Sequence, residues 1–263
     1  LSTRNSLFER AMYQADRLHA FAADSDSLAV VTSSEELKQV LKSREDGSKL
    51  IAGLLGTEGS HALDGNLDNI KRLYDAGFRM MSLQHFFDNK LGGSLHGESN
   101  AGLTDFGREA VRLMDSMGIM IDVSHSSPQV VDDVLNLIDS PLIVSHTGFK
   151  GHCDRKRNIS DDLIKRIAER GGLIGVGFWS EAVCGTDVTA IADAIAYGTE
   201  TFGVEAVALG SDWDGAVTTP IAANDLAYLT SALLKRGLSE DDIRAVMGGN
   251  TVRYFLEHLP ATD

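Results

Sequence analysis

The chain has 263 residues, enough for one large α/β domain or two smaller ones, and for a substantial core. Its 38 acidic against 24 basic side chains, a net charge of −14, argue against nucleic acid or an anionic membrane as a partner. No apolar run approaches the roughly 18 residues of a membrane span, no basic-then-apolar leader is visible, and Cys153 and Cys184 read as neither a zinc-type pair nor a disulfide framework.

Helical periodicity runs over residues 5–23, with Leu7, Ala11, Ala15 and Leu18 on one face. His19 falls inside that pattern and reads as packed or exposed rather than as a ligand. Residues 27–32 suit a short extended piece, and Ser33-Ser34-Glu35-Glu36 opens a helix with Leu37, Val40 and Leu41 on its apolar side. Residues 50–56 form a buried-strand run ending in Thr57-Glu58-Gly59, followed by a helix carrying Leu67, Ile70, Leu73 and Tyr74 and closed by Gly77. The next strand, 79–84, ends at His85, and after a Gly-rich loop Thr104 caps a helix that Gly118 closes.

Two runs then end alike, in Ser-His: 119–125 at His125 and 141–146 at His146, separated by a helix opened by Ser127-Pro128. On adjacent parallel strands they set two imidazoles side by side on one rim, an arrangement that suits a divalent metal, with loop capping as the plainer alternative. A basic loop, 150–157, a helix from Ser160, a strand at 173–178, a helix at 187–202 and a strand at 207–210 follow, the last running into Ser211-Asp212-Trp213-Asp214-Gly215. Ser239 caps one of two helix-like segments in the tail, and residues 246–248 are a candidate for one more strand.

Six strands alternating with helices predict right-handed parallel βα units. Functional residues at the ends of many strands (Glu58, His85, His125, His146 and Asp212) favour a (β/α)8 barrel over an open doubly wound sheet, although six strands are two short of eight. One domain over 1–263 is the simplest organisation. Glu58, His125, His146 and Asp212 are oxygen and nitrogen donors suited to zinc or a similar ion, whose chemistry at such a mouth is hydrolysis. Arg155, Lys156 and Arg157 read either as a solvated loop or as a fork for a substrate carboxylate.

These residues carry a resemblance to the membrane dipeptidase (renal dipeptidase) family of zinc peptidases. The matching text is Thr57-Glu58-Gly59-Ser60-His61, Met81-Ser82-Leu83-Gln84-His85, Gly102-Leu103-Thr104-Asp105-Phe106-Gly107-Arg108, Ile121-Asp122-Val123-Ser124-His125, Val144-Ser145-His146, Arg157-Asn158, Gly210-Ser211-Asp212-Trp213-Asp214-Gly215 and Gly248-Gly249-Asn250. It spans nearly the whole chain in order. The resemblance implies a (β/α)8 barrel, two zinc ions, and hydrolysis of dipeptides by a metal-bridging hydroxide. Glu58 would bridge the ions, and His125 and His146 would complete the second site. His85 would contact substrate and stabilise the oxyanion, and Arg157 would hold the substrate carboxylate. Asp212 would sit at the first ion and carry the proton to the leaving amine.

One departure stands out. The family's first barrel strand ends in a His-x-Asp pair, and this chain begins at Leu1 in the helix region that follows it. The expectation is an N-terminally shortened enzyme, with any export signal upstream of Leu1 and one or no zinc ion in the chain as it stands. Two alternatives remain: an inactive homologue that binds one metal or none, and another metal-dependent amidohydrolase. Family members are often homodimers.

Overall fold

The structure, a computed structural model, describes residues 5–262. Helix α1 (Leu7–Ala23) starts at Ser6, whose hydroxyl accepts the Glu9 N–H, and a short strand β1 (Leu28–Val30) follows. Helix α2 (Ser34–Glu45) opens with a reciprocal capping box between Ser33 and Glu36. The run read as one strand is interrupted at Leu54: β2 (Ile51–Gly53) pairs in parallel with β1, and β3 (Leu55–Thr57) begins the main sheet.

From β3 the chain alternates strand and helix: α3 (Asp68–Asp75), β4 (Phe78–Ser82), α4 (Asp105–Ser116), β5 (Met120–Asp122), α5 (Pro128–Leu137), β6 (Ile143–Thr147), α6 (Asp161–Glu169), β7 (Leu173–Val176), the short α7 (Ser180–Val183), α8 (Val188–Phe202) and β8 (Val207–Leu209). Six strands pair in parallel in the order β3-β4-β5-β6-β7-β8, the consecutive order of a TIM-type barrel wall. The tail adds α9 (Leu226–Lys235), which the sequence reading passed over, then α10 (Glu240–Arg244) and α11 (Asn250–His258). Residues 246–248, a candidate strand within a helix-like segment, are part of a π-helical turn, Ala245–Gly249, bent at Gly248. Asn250 anchors that turn, its amide donating to the carbonyls of Val204 and Val207.

Alternation along the strands sorts the core. Met81, Ile121, Val144, Ile174 and Val207 face the surrounding helices, including Ile70, Val130, Val134, Ile164 and Ile195, in one large buried cluster. Each such side chain stabilises the fold by about 1.5–3 kcal/mol through apolar burial. Met120, Ile143, Leu173 and Ala208 form a second cluster with Leu37, Tyr254 and Leu259. Two residues further along β5 and β6 on that same face stand Asp122 and Ser145, so the face turns from apolar to polar towards the C-terminal strand ends. Beside them stand Gly175 and Gly210, where an added Cβ would come within 2.2 and 2.3 Å of the Ser145 carbonyl. Glycine is required at both positions because these strand backbones pass directly over the segment that carries His146.

No helix among the described residues is long and apolar enough to cross a membrane.

Candidate metal centre

Every strand-end residue singled out from the sequence lies at one end of the sheet. Glu58 directly follows β3, His85 and His125 stand three residues beyond β4 and β5, His146 lies within β6, and Asp212 follows β8. His125 and Asp212 adopt left-handed backbone, φ 63° and 57°. Ordinary residues pay roughly 1–2 kcal/mol for that conformation, and it recurs where a side chain is held for function.

Glu58 is the hub. Its Oε1 lies 3.0 Å from His125 Nε2, 3.2 Å from His146 Nε2 and 3.5 Å from His85 Nε2, and the two buried imidazoles face each other Nε2 to Nε2 at 2.9 Å. Donor atoms converge in two overlapping groups, Glu58 with His85 and His125, and Glu58 with His146 and Asp212. The hydrogen bond from His125, the largest influence, holds the Glu58 carboxyl well below the usual carboxylate range. Burial pushes His125 down to about 4, so this imidazole is neutral near pH 7. A carboxylate held in its ionised form beside three imidazole rings gathers oxygen and nitrogen donor atoms in one spot, an arrangement that suits a divalent cation. The residues therefore fit a metal. Burial raises Asp212, and the negative Glu58 adds to the rise, although His146 and Arg157 oppose it.

Arg157 reaches the cluster from the loop between β6 and α6. It is buried, its Nη2 donates to the His146 carbonyl at 2.8 Å, and its guanidinium lies 5.2 Å from the Trp179 ring centroid. Its Nη1 is buried with no hydrogen-bond partner, and burial lowers its pKa to about 10. Arg155 and Lys156 are exposed, so of the three basic residues only Arg157 enters the site.

A cavity of about 530 Å³ opens over the cluster, lined by Glu58, His85, His125, Arg157 and Asp212 and also by Phe86, His96, Trp179 and Val217. The last four escape sequence reading. The Gly-rich loop after β4 brings Phe86 and His96 in by folding back on the β5 end. Leu95 N–H donates to the His125 carbonyl at 2.7 Å, Ser127 N–H donates to Gly93 O, and the Ser94 hydroxyl donates to the His85 carbonyl. That fold sets the Phe86 and His96 rings 5.5 and 5.4 Å from the His125 ring. The only sequence signal was a histidine inside a glycine-rich loop.

Cys153 and Cys184, read from the sequence as unpaired, form a disulfide across 31 residues. Their partnership is a tertiary fact: the bond joins the Arg157 loop to α7 just beyond Trp179. Asn158 reinforces it, donating to the carbonyls of Cys153 and Ala182. A loop of this length corresponds to about 3–4 kcal/mol of unfolded-state entropy, roughly 10 °C in melting temperature. Thermal melts with and without reductant check this, and coincident curves would contradict it.

A parallel sheet of βα units with a carboxylate–imidazole cluster at its C-terminal edge defines the class: an α/β protein of TIM type with a candidate metal centre at its mouth. The family model described as "Membrane dipeptidase (Peptidase family M19)" matches residues 2–259, and the chain belongs to that family. It is 30% identical over 257 residues to human "Dipeptidase 3", covering 93% of this chain and 51% of that protein. The chain thus spans about half the length of the curated relatives it matches. Among solved structures it resembles an amidohydrolase from Pseudomonas aeruginosa (TM-score 0.82, 24% identity, 93% of this chain and 83% of the other). It also resembles a metallo peptidase from Rhodobacter sphaeroides liganded with a phosphinate mimic of the dipeptide L-Ala-D-Ala (TM-score 0.80, 23% identity, 94% and 73%). These likenesses establish the shared fold.

Proposed function

We propose that this site hydrolyses dipeptides as a metallodipeptidase, with zinc as the metal. The observation that carries the reading is the convergence of Glu58 Oε1 with the Nε2 atoms of His125 and His146, beside a buried arginine whose Nη1 has no partner. Glu58, His125, His146 and Asp212 would hold the metal, which when bound supplies Lewis-acid polarisation and acidifies water.

The chain's own residues do the rest. Arg157 Nη1, already desolvated, takes the carboxylate of the dipeptide and orients it. His85, beside Glu58 and edge-on to the His125 ring at 4.7 Å, would donate to the carbonyl oxygen as negative charge develops there. Asp212, raised by burial, accepts the proton released in the attack and returns it to the departing amine. Phe86, His96 and Trp179 form apolar and aromatic walls of the cavity beside the reacting carbonyl.

The test is zinc stoichiometry by mass spectrometry on reconstituted protein, with hydrolysis of a dipeptide panel assayed on the same sample. Metal binding with turnover of free dipeptides, and of their C-terminal amides only at about 100-fold higher KM, is the expected result. Metal without turnover of any dipeptide would convert the site to a binding centre. Turnover of amides as fast as free dipeptides would point to another amidohydrolase reaction.

A further inference from the structure

We propose that Asp122 is a positioning residue that acts through Ser145 to fix the tautomer of His146, so that its Nε2 offers a lone pair to the metal centre. The inference rests on the reading of His146 as a ligand and adds residues that never touch the metal.

Asp122 closes β5 and is 2% exposed. Its Oδ1 accepts the N–H groups of Ser124 (2.9 Å) and Ser145 (3.0 Å), and its Oδ2 accepts the Ser145 hydroxyl at 2.5 Å. A carboxylate only accepts, so the single Ser145 hydroxyl proton is committed to Asp122. Ser145 Oγ can then serve its remaining neighbours only as an acceptor. Those neighbours are Ser124 Oγ at 3.1 Å and His146 Nδ1 at 2.9 Å. Ser124 has its proton free for this, since its oxygen already accepts the His146 backbone N–H. His146 must therefore donate from Nδ1. A neutral imidazole carries one N–H, so its Nε2 bears the lone pair, and Nε2 is the atom that faces Glu58 Oε1 and His125 Nε2. The pairing of β5 with β6, Asp122 against Ile143, puts the carboxylate within reach of Ser145 two residues further on. Gly175 and Gly210 leave the space the Ser145 segment occupies.

The decisive substitution is Asp122→Asn, which keeps the shape and reverses one hydrogen bond. The amide oxygen still accepts the two backbone N–H groups, but the NH2 in place of Oδ2 donates to Ser145 Oγ. The Ser145 proton then turns to His146 Nδ1, and the imidazole proton is driven onto Nε2, the wrong atom for ligation. Outer partners of metal-bound histidines typically carry 10–100-fold in metal affinity.

Two readouts test this on the whole chain. In metal-free protein, nitrogen-15 NMR of the histidines should show His146 protonated at Nδ1, and at Nε2 in Asp122→Asn. Zinc affinity, measured by competition with a chromophoric chelator, should fall about 30-fold or more in Asp122→Asn, with the melting temperature little changed, and by less in Ser145→Ala. Unchanged affinity and tautomer in Asp122→Asn would overturn the proposal. Should that variant not fold, the wild-type spectrum decides alone: an Nε2-protonated His146 refutes the relay. Failure of the underlying reading looks different, because His146→Ala would then bind zinc as tightly as wild type.

Discussion

Glu58→Gln is expected to lower zinc affinity at least 100-fold and to reduce kcat/KM for dipeptides by about a thousand-fold, while the protein still folds. One carboxylate oxygen of Glu58 stands within 3.0–3.5 Å of three imidazole nitrogens and belongs to both groups of converging donors. Glutamine preserves the volume and removes the one carboxylate that, among the described residues, lies within 4.0 Å of those imidazoles. Loss of a direct ligand should exceed the 10–100-fold typical of outer partners, and loss of the metal's polarisation is worth several kcal/mol in the transition state. The Glu58 side chain is 43% exposed, so its replacement leaves no buried void. Chelator competition, steady-state kinetics and circular dichroism on one preparation check the three parts. A Glu58→Gln protein that keeps its zinc and its rate within a few-fold would remove Glu58 from the centre of the proposed mechanism.

Arg157→Met should separate binding from chemistry. Among the described residues Arg157 makes no ion pair within 4 Å, although it is buried. A desolvated cation with no anion beside it is unfavourable, and replacement by an apolar side chain of similar length is often neutral or stabilising. The expected result is a melting temperature equal to or above that of wild type in the absence of substrate. KM for dipeptides should rise about 100-fold with kcat within a few-fold, the size of effect seen when a buried charge pair loses one partner. Amidated dipeptides, which lack the carboxylate, should show no further loss. A kcat collapse at unchanged KM would instead place Arg157 in the chemical step and refute the clamp.

The strand ends were legible because a parallel sheet advertises itself: short apolar runs such as 119–121 and 141–144 stop at polar residues, and each lies one helix from the next. Consecutive strand order then carries Glu58, His125, His146 and Asp212 to one rim without any knowledge of the loops. What stayed hidden depends on how distant segments fold against each other. His96 reaches the cavity only because its loop turns back on His125, and Cys153 meets Cys184 only because α7 lies against the Arg157 loop. The stretch before Gly248-Gly249 read as helical, with Val246 and Met247 inward, and also as a candidate strand; the helical reading holds, because Asn250 ties the turn to the segment after α8 and to β8. Asp122 was visible as a letter in a motif. Its task emerges only when every proton around Ser145 is assigned.

The bond between Cys153 and Cys184 makes the floor of the mouth, Arg157 on one side and Trp179 on the other, travel as a unit. Chain recovered from a reducing host and chain recovered from an oxidising one are then two different reagents. They share the candidate metal-binding rim and differ in how sharply Arg157 is aimed. Preparations should be compared only after their thiol content has been counted.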